Sequence, residues 1–183
     1  MAEPRQIRLI MELRAEGVKD PDVLGAIERV AREKFVPDQF ADRAYENTAL
    51  PIGEGQTISQ PLIVGLMTQA LEVGKRMKVL EIGTGCGYQA AVLSQLCRRI
   101  YSIERHKTLL AETTRRLTQL NYTNITTMAG DGSKGWPAQA PFDRIIVTAA
   151  AKDEAPKAFF DQLAPDGILI IPIGSSPIDQ QLW

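Results

Sequence analysis

The amino-acid sequence predicts an α/β domain: a parallel sheet with helices on both faces, preceded by a helical extension. Three observations carry that prediction. From Pro61 onward, short apolar runs of strand length alternate with segments of helical periodicity. The first of these runs, residues 77–82, leads straight into a glycine-rich turn and a helix, the opening of a βαβ unit. The third is size: 183 residues, 44% hydrophobic and 23% charged, suffice for one sizeable core and leave little room for a second. The chain therefore reads as a single domain, with residues 1–60 as the extension and a loop, and 61–183 as the core.

Taken in order, Ile7, Ile10 and Met11 repeat at helical spacing before Gly17. Asp20-Pro21 reads as an N-cap followed by proline in the first turn, and Val23, Leu24, Ile27, Val30 and Ala31 form one apolar stripe. Residues 42–59 lack periodicity and contain Pro51, Gly53 and Gly55, so they read as an eighteen-residue loop, a length that usually signals function. A helix is expected at 61–71, and another after the glycine turn carrying Ala90, Leu93, Leu96 and Cys97. Further strands fit 99–103, 125–128, 142–147 and 167–172, with helices near 107–120 and 155–163. In such a sheet, ligands bind at the carboxyl ends of the strands.

Composition narrows the partners. The formal charge of −1 provides no bulk cationic field for a phosphate backbone, so nucleic acid is not expected as a partner. The longest apolar runs fall far short of the roughly 20 residues that cross a bilayer, and Glu3, Arg5 and Arg8 interrupt any apolar leader. A soluble cytoplasmic protein with no membrane partner is expected. Cys86 and Cys97, eleven residues apart, are placed on one face of a helix, where they cannot bridge and read as small hydrophobes in a reducing compartment. No Cys/His cluster accompanies them, so no metal is expected. His106 reads as a solvated surface residue, and Trp136 as an ordinary packing aromatic.

The turn Glu81-Ile82-Gly83-Thr84-Gly85-Cys86-Gly87 has G-x-G-x-G spacing, which differs from that of dinucleotide enzymes. Its glycines allow a ligand to approach the backbone closely. Glu81 ends the first strand, in or beside the crevice, where a carboxylate repels pyrophosphate and favours a cationic ligand. Glu104 ends the second strand and is placed to accept hydrogen bonds from ribose hydroxyls. Asp131, within Gly130-Asp131-Gly132 after the third strand, is placed to meet an adenine amino group. Three acids at three successive strand ends point to a nucleoside cofactor with a positive centre. S-adenosylmethionine, with its sulfonium and ammonium, fits that description ahead of NAD.

Gly55-Gln56-Thr57-Ile58-Ser59-Gln60-Pro61, Val79-Leu80-Glu81-Ile82-Gly83-Thr84-Gly85, Gly130-Asp131-Gly132, Gly135-Trp136-Pro137 and Pro141-Phe142-Asp143 together resemble the protein-L-isoaspartate O-methyltransferase family. The likeness spans nearly the whole chain, and the GQTIS segment before proline is its most specific part. It implies a Rossmann-like class I S-adenosylmethionine-dependent methyltransferase. The reaction it implies moves the cofactor methyl to the free α-carboxyl of L-isoaspartyl residues in damaged proteins and peptides. S-adenosyl-L-homocysteine is left, and the ester closes to a succinimide without the enzyme. By matching motifs, Ser59 takes the active-site role, Gln56 and Thr57 line the cofactor pocket, and Gly83, Gly85, Glu104, Asp131 and Gly132 hold the cofactor. Glu81 stands behind its methionine end.

An acceptor carboxylate, with a pKa near about 4, is already ionised at neutral pH and needs no general base, so alignment supplies most of the acceleration. Taken locally, Ser59 reads instead as the N-cap of the helix that begins at Pro61. The family fold adds a C-terminal strand hairpin after the fifth strand, whereas this sequence stops at Leu182-Trp183. The expectation is an incomplete polypeptide lacking that hairpin, with 168–171 as an uncovered edge, and a monomer in its full-length form. Three other readings stand beside this one. Another S-adenosylmethionine enzyme is opposed by Thr148-Ala149-Ala150-Ala151, where an Asn/Asp-Pro-Pro-aromatic segment would be expected. A module could bind the cofactor without turnover. A nicotinamide oxidoreductase is opposed by the glycine spacing and Glu81.

Overall fold

The computed structural model describes residues 3–149, 154–174 and 181–182. Helix α1 (Pro4–Ala15) buries Leu9 and Leu13, and α2 (Pro21–Arg29) buries Val23, Leu24, Ala26 and Ile27. The Asp20 carboxylate caps α2, accepting the backbone N–H groups of Asp22 and Val23 at 2.8 and 3.2 Å, as the Asp-Pro pair predicts. Two 3₁₀ turns, Arg32–Lys34 and Asp38–Arg43, carry the chain onward.

The expected loop of residues 42–59 holds an antiparallel hairpin instead, β1 (Leu50–Gly53) and β2 (Gln56–Ile58), with Leu50 opposite Ile58. Leu50, Ile52 and Ile58 supply the buried positions. Pro51 within the first strand and three consecutive residues at positive φ, Gly53, Glu54 and Gly55, hide the alternation that would have exposed it. The extension is thus helical only up to the hairpin.

Helix α3 (Pro61–Ala70) leads into the main sheet: β3 (Lys78–Ile82), β4 (Arg99–Glu104), β5 (Ile125–Ala129), β6 (Phe142–Val147) and β7 (Leu163–Ile170). Its order is β5-β4-β3-β6-β7, with every pairing parallel. The connecting helices are α4 (Tyr88–Ser94), α5 (Lys107–Gln119) and α6 (Lys157–Gln162). Alternation along the strands sorts the core. Val79, Ile100 and Ile146 pack with Met67, Leu71 and Leu93 of the α3 and α4 side, while Leu80, Ile103, Phe142 and Ile145 pack with Phe159 of α6. The chain runs outward from β3 to β5 and then crosses to β6 on the other side of β3, so the switch point lies at the β3 end.

The last strand differs from expectation at its start. Leu163 pairs with Phe142 before the register shifts to Arg144 opposite Ile168, so β7 begins where the helix was expected to continue. Beyond β7, β8 (Pro172–Ile173) pairs antiparallel with β9 (Gln181–Leu182) in a ladder separate from the main sheet, which has five strands and ends at β7 as its edge. Trp183, Ala150 and Ala151 lie outside the described residues. Among the described residues, no helix is long and apolar enough to cross a membrane.

Candidate active site

The glycine turn between β3 and α4 is built from backbone conformations that side chains disfavour. Gly83, Gly85 and Gly87 have φ of 97°, 52° and 89°. A Cβ on Gly83 would collide with the Thr148 hydroxyl. That hydroxyl, from the residue after β6, donates toward the Gly83 and Ile82 carbonyls at 2.6 and 3.0 Å, so the two neighbouring strand ends are tied together. The Gly83 N–H donates to the Ile103 carbonyl at 2.8 Å, which ties the turn to β4 as well.

Glu104 completes the frame. One carboxylate oxygen accepts the Gly85 N–H at 2.9 Å, the other the His106 N–H at 3.0 Å. Each oxygen keeps a further lone pair, and the side chain faces the same space as the turn.

The hairpin and α3 close that space from the other side. One cavity, with an open volume of about 660 Å³, is lined by Gln56, Thr57, Ile58, Ser59 and Val64, by Gly83, Thr84, Gly85, Cys86, Tyr88 and Gln89, by Glu104, and by Thr148 and Ala149. This mixed lining of backbone, hydroxyl, amide and carboxylate groups suits a polar, nucleoside-like ligand. The structure thus brings together Gln56, Thr57, Ser59, Gly83, Gly85 and Glu104. The sequence reading missed Thr84, Cys86, Tyr88, Gln89, Thr148 and Ala149. Thr148 had a usable signal, since it directly follows the strand beside β3.

Ser59 does not cap α3: the N-cap residue is Gln60, without a side-chain cap bond. The N-terminal N–H of Leu62 is satisfied instead by Asn47 Oδ1 at 3.0 Å. This leaves the Ser59 hydroxyl free of the competing local role that its sequence position suggested.

The other expected residues stand apart from the cavity. Glu81 is fully buried on the α4 side of β3, where its carboxyl accepts the Ser102 hydroxyl, which lies 2.6 Å from the Thr84 hydroxyl. Its second oxygen is buried without a partner. Burial, partly offset by the Ser102 bond, pushes its pKa up to about 8. The carboxyl therefore keeps its proton at neutral pH, and the expected crevice charge at Glu81 is corrected: strand alternation turns it under the glycine turn, where it props Thr84 through Ser102.

Asp131 is exposed and caps a 3₁₀ turn (Gly132–Lys134), its carboxylate accepting the Ser133 N–H and hydroxyl at 3.0 and 2.7 Å. Those bonds hold its pKa below the usual value. A Cβ on Gly132 would come within 2.5 Å of Ile82 Cγ2, so this glycine permits close packing on β3. Neither residue lines the cavity.

The cysteine geometry also differs from expectation. Helix α4 ends at Ser94, so neither thiol lies on it: Cys86 precedes it at the cavity and Cys97 follows it against Met67 and Leu71. Both are free and buried, and burial pushes Cys97 up to about 12 and raises Cys86. His106 is half-buried, its Nε2 accepting from Arg105 at 3.0 Å. Trp136 packs edge-on against Tyr101, with centroids 5.4 Å apart. No group of three or more metal-ligating side chains occurs among the described residues.

An open parallel sheet with this strand order, a glycine turn at its switch point and an acid at the next strand end define the chain as a Rossmann-like class I S-adenosylmethionine-dependent methyltransferase. Residues 4–183 match the model of the protein-L-isoaspartate(D-aspartate) O-methyltransferase family. The chain belongs to that family. It is 68% identical to a protein-L-isoaspartate O-methyltransferase of Paramagnetospirillum magneticum, over 99% of this chain and 85% of the relative. It is 60% identical to one from Rhodospirillum rubrum, over 97% and 81%. Among solved structures, a protein-L-isoaspartate O-methyltransferase superposes with a TM-score of 0.84 at 31% identity, over 97% of this chain and 58% of that longer one. A Plasmodium falciparum structure assigned to the same family and solved with S-adenosyl-L-homocysteine gives 0.83 at 25% identity, over 98% and 88%.

Proposed function

We propose that the chain methylates the free α-carboxyl of L-isoaspartyl residues in damaged proteins and peptides, the step that starts their repair. S-adenosyl-L-methionine, when bound, supplies a methyl group on a sulfonium. The residues present fit it: Gly83 and Gly85 bring bare backbone to the cavity, with nothing closer than Ile52 over Gly85, and Glu104 has carboxylate lone pairs to spare toward the same space. Gly83 and Gly85 admit the cofactor against the backbone, Glu104 accepts its ribose hydroxyls, and Gln56 and Thr57 form the opposite wall. Asp131 and Gly132, which follow β5 beside β4, would hold its base. Glu81 acts from below by fixing Thr84.

Ser59 donates its hydroxyl to the acceptor carboxylate. That carboxylate is ionised without help, so no side chain has to take a proton, and the cavity's task is to align the acceptor and exclude water. The observation that carries this reading is the convergence of the Gln56–Ser59 segment, the glycine turn and Glu104 on one cavity. The enzyme acts in the cytoplasm on protein and peptide substrates, without nucleic acid, membrane or metal. The near-neutral charge and the two buried free thiols support that setting.

The test uses cofactor carrying a radioactive methyl and an isoaspartyl peptide. Base-labile radioactivity in the peptide is expected, because the product is an ester. Label that resists base, or appears only in nucleic acid or small molecules, would replace this function with another methyl transfer.

A further inference from the structure

Arg32 is fully buried and has no acid beside it. Its Nε donates to the Ala44 carbonyl at 2.9 Å, and Nη2 donates to the Ser59 carbonyl at 2.7 Å and, at the limit of a hydrogen bond, to that of Thr48 at 3.5 Å. The remaining nitrogen, Nη1, and the Tyr88 hydroxyl are both buried without a well-formed hydrogen bond, and the two side chains meet each other there, where a neutral phenol leaves the charge uncompensated. The guanidinium sits 4.7 Å from the centre of the Tyr88 ring. Among the described residues, no carboxylate lies within ion-pair distance of it.

Buried guanidinium groups normally have an anion for company, because carbonyls satisfy the donors and leave the charge uncompensated. Only a thin wall separates this charge from the cavity: Ser59 and Tyr88 both line it, and both touch Arg32. On the glycine-turn side stands the Glu104 carboxylate. The cavity is therefore polarised, with an acid by the turn and an unneutralised cation behind Ser59. A structural tie to the Ala44, Thr48 and Ser59 carbonyls uses three N–H donors, one more than a neutral amide carries, but the donors alone set no sign on the field behind Ser59.

We infer that Arg32 is a positioning residue for the acceptor: it holds Ser59 through its carbonyl and places beside it a positive charge that favours an anionic carboxylate. The inference rests on the function proposed above. Burial lowers the Arg32 pKa, in the direction expected of a cation left without a counter-charge. A bound acceptor carboxylate supplies the missing negative charge on the far side of the wall, so affinity for the acceptor carries the effect and affinity for the cofactor does not.

The test compares Arg32→Met, Arg32→Gln and Arg32→Lys with the parent chain. Binding of an isoaspartyl peptide is measured at saturating S-adenosyl-L-homocysteine, where no turnover is required, and KM and kcat are measured separately. Arg32→Met and Arg32→Gln are expected to weaken peptide binding and raise its KM by about tenfold or more, while cofactor affinity stays within about twofold. Arg32→Lys, which keeps the charge, should recover most of that loss. Folded neutral variants that bind the peptide like the parent overturn the inference, as does equal impairment in the Lys and neutral variants, which marks a purely structural tie. If neither neutral variant folds, Arg32 is a core anchor and the inference is likewise overturned. A parent chain that binds cofactor but neither binds nor methylates the peptide overturns the proposed function first, and the inference falls with it.

Discussion

Glu104 accepts the backbone N–H of Gly85 at 2.9 Å, and this bond joins those from Gly83 and Thr84 to the Ile103 carbonyl in fastening the glycine turn of β3 to the end of β4. The same carboxylate is the group proposed to hold the cofactor ribose, so it serves turn and ligand together. Glu104→Ala is expected to weaken binding of S-adenosyl-L-homocysteine by at least about tenfold, with Glu104→Gln between it and the parent, because charge-assisted bonds are the stronger ones. Calorimetric titration checks the order. Equal affinities in all three proteins would remove Glu104 from the cofactor site.

Glu81 gives the fold a pH dependence of definite sign. Its carboxyl has an ordinary value of 4.5 and is raised to about 8 by burial, so the folded chain keeps a proton that the unfolded chain releases over that interval. Its contribution to stability is complete below the lower value and is lost progressively as pH rises to the upper one. Glu81→Gln mimics the protonated carboxyl and cannot ionise. Melting temperatures of parent and variant should therefore diverge from about pH 5 to about pH 8, with the parent falling away. Parallel curves would mean that Glu81 is charged in the folded state.

Asn47 and Ser59 divide two roles that the sequence assigned to one residue. Asn47 caps α3 through Leu62 and also donates to Glu12 of α1 and to Glu16 just beyond it at 3.1 and 3.2 Å. Asn47→Ala should cost about 1 kcal/mol of stability. Ser59→Ala should change stability by less than about 0.5 kcal/mol and lower turnover per folded molecule. Chemical denaturation paired with initial rates separates the two. The reverse pattern would return the cap to Ser59.

Gly83 combines a φ of 97° with the hydroxyl of Thr148 where a Cβ would stand. Gly83→Ala should lower stability by about 2 kcal/mol, through backbone strain and displacement of the Thr148 hydroxyl from the Ile82 and Gly83 carbonyls. Denaturant midpoints measure it, and an unchanged midpoint would show that the turn can relax.

What could be read from the sequence follows from how local each signal is. The βαβ pattern, the Asp20 cap and the glycine turn are written in neighbouring residues, and the structure has them where expected. The ends of β4 and β5 were also legible, because an acid closes one apolar run at Glu104 and another follows the second within two residues at Asp131. The β1–β2 hairpin was not, because Pro51 and Glu54 disguise it locally and its apolar residues are justified only by the core beneath. Glu81 was misjudged for a related reason. Its carboxyl was read as a charge in or beside the crevice, but the two-residue period puts it on the side of Val79, under α4, where burial keeps it protonated. Arg32 lies in a stretch that reads as ordinary surface charge, and its burial depends on carbonyls up to 27 residues away.

The most direct test of the account offers the chain an equimolar mixture of an isoaspartyl peptide and its normal aspartyl counterpart, with S-adenosyl-L-methionine, and follows both by mass spectrometry. The account predicts a gain of one methylene unit in the isoaspartyl peptide, reversed by mild base, with the aspartyl peptide unchanged. Equal methylation of the two, or of neither while the cofactor binds, would contradict it.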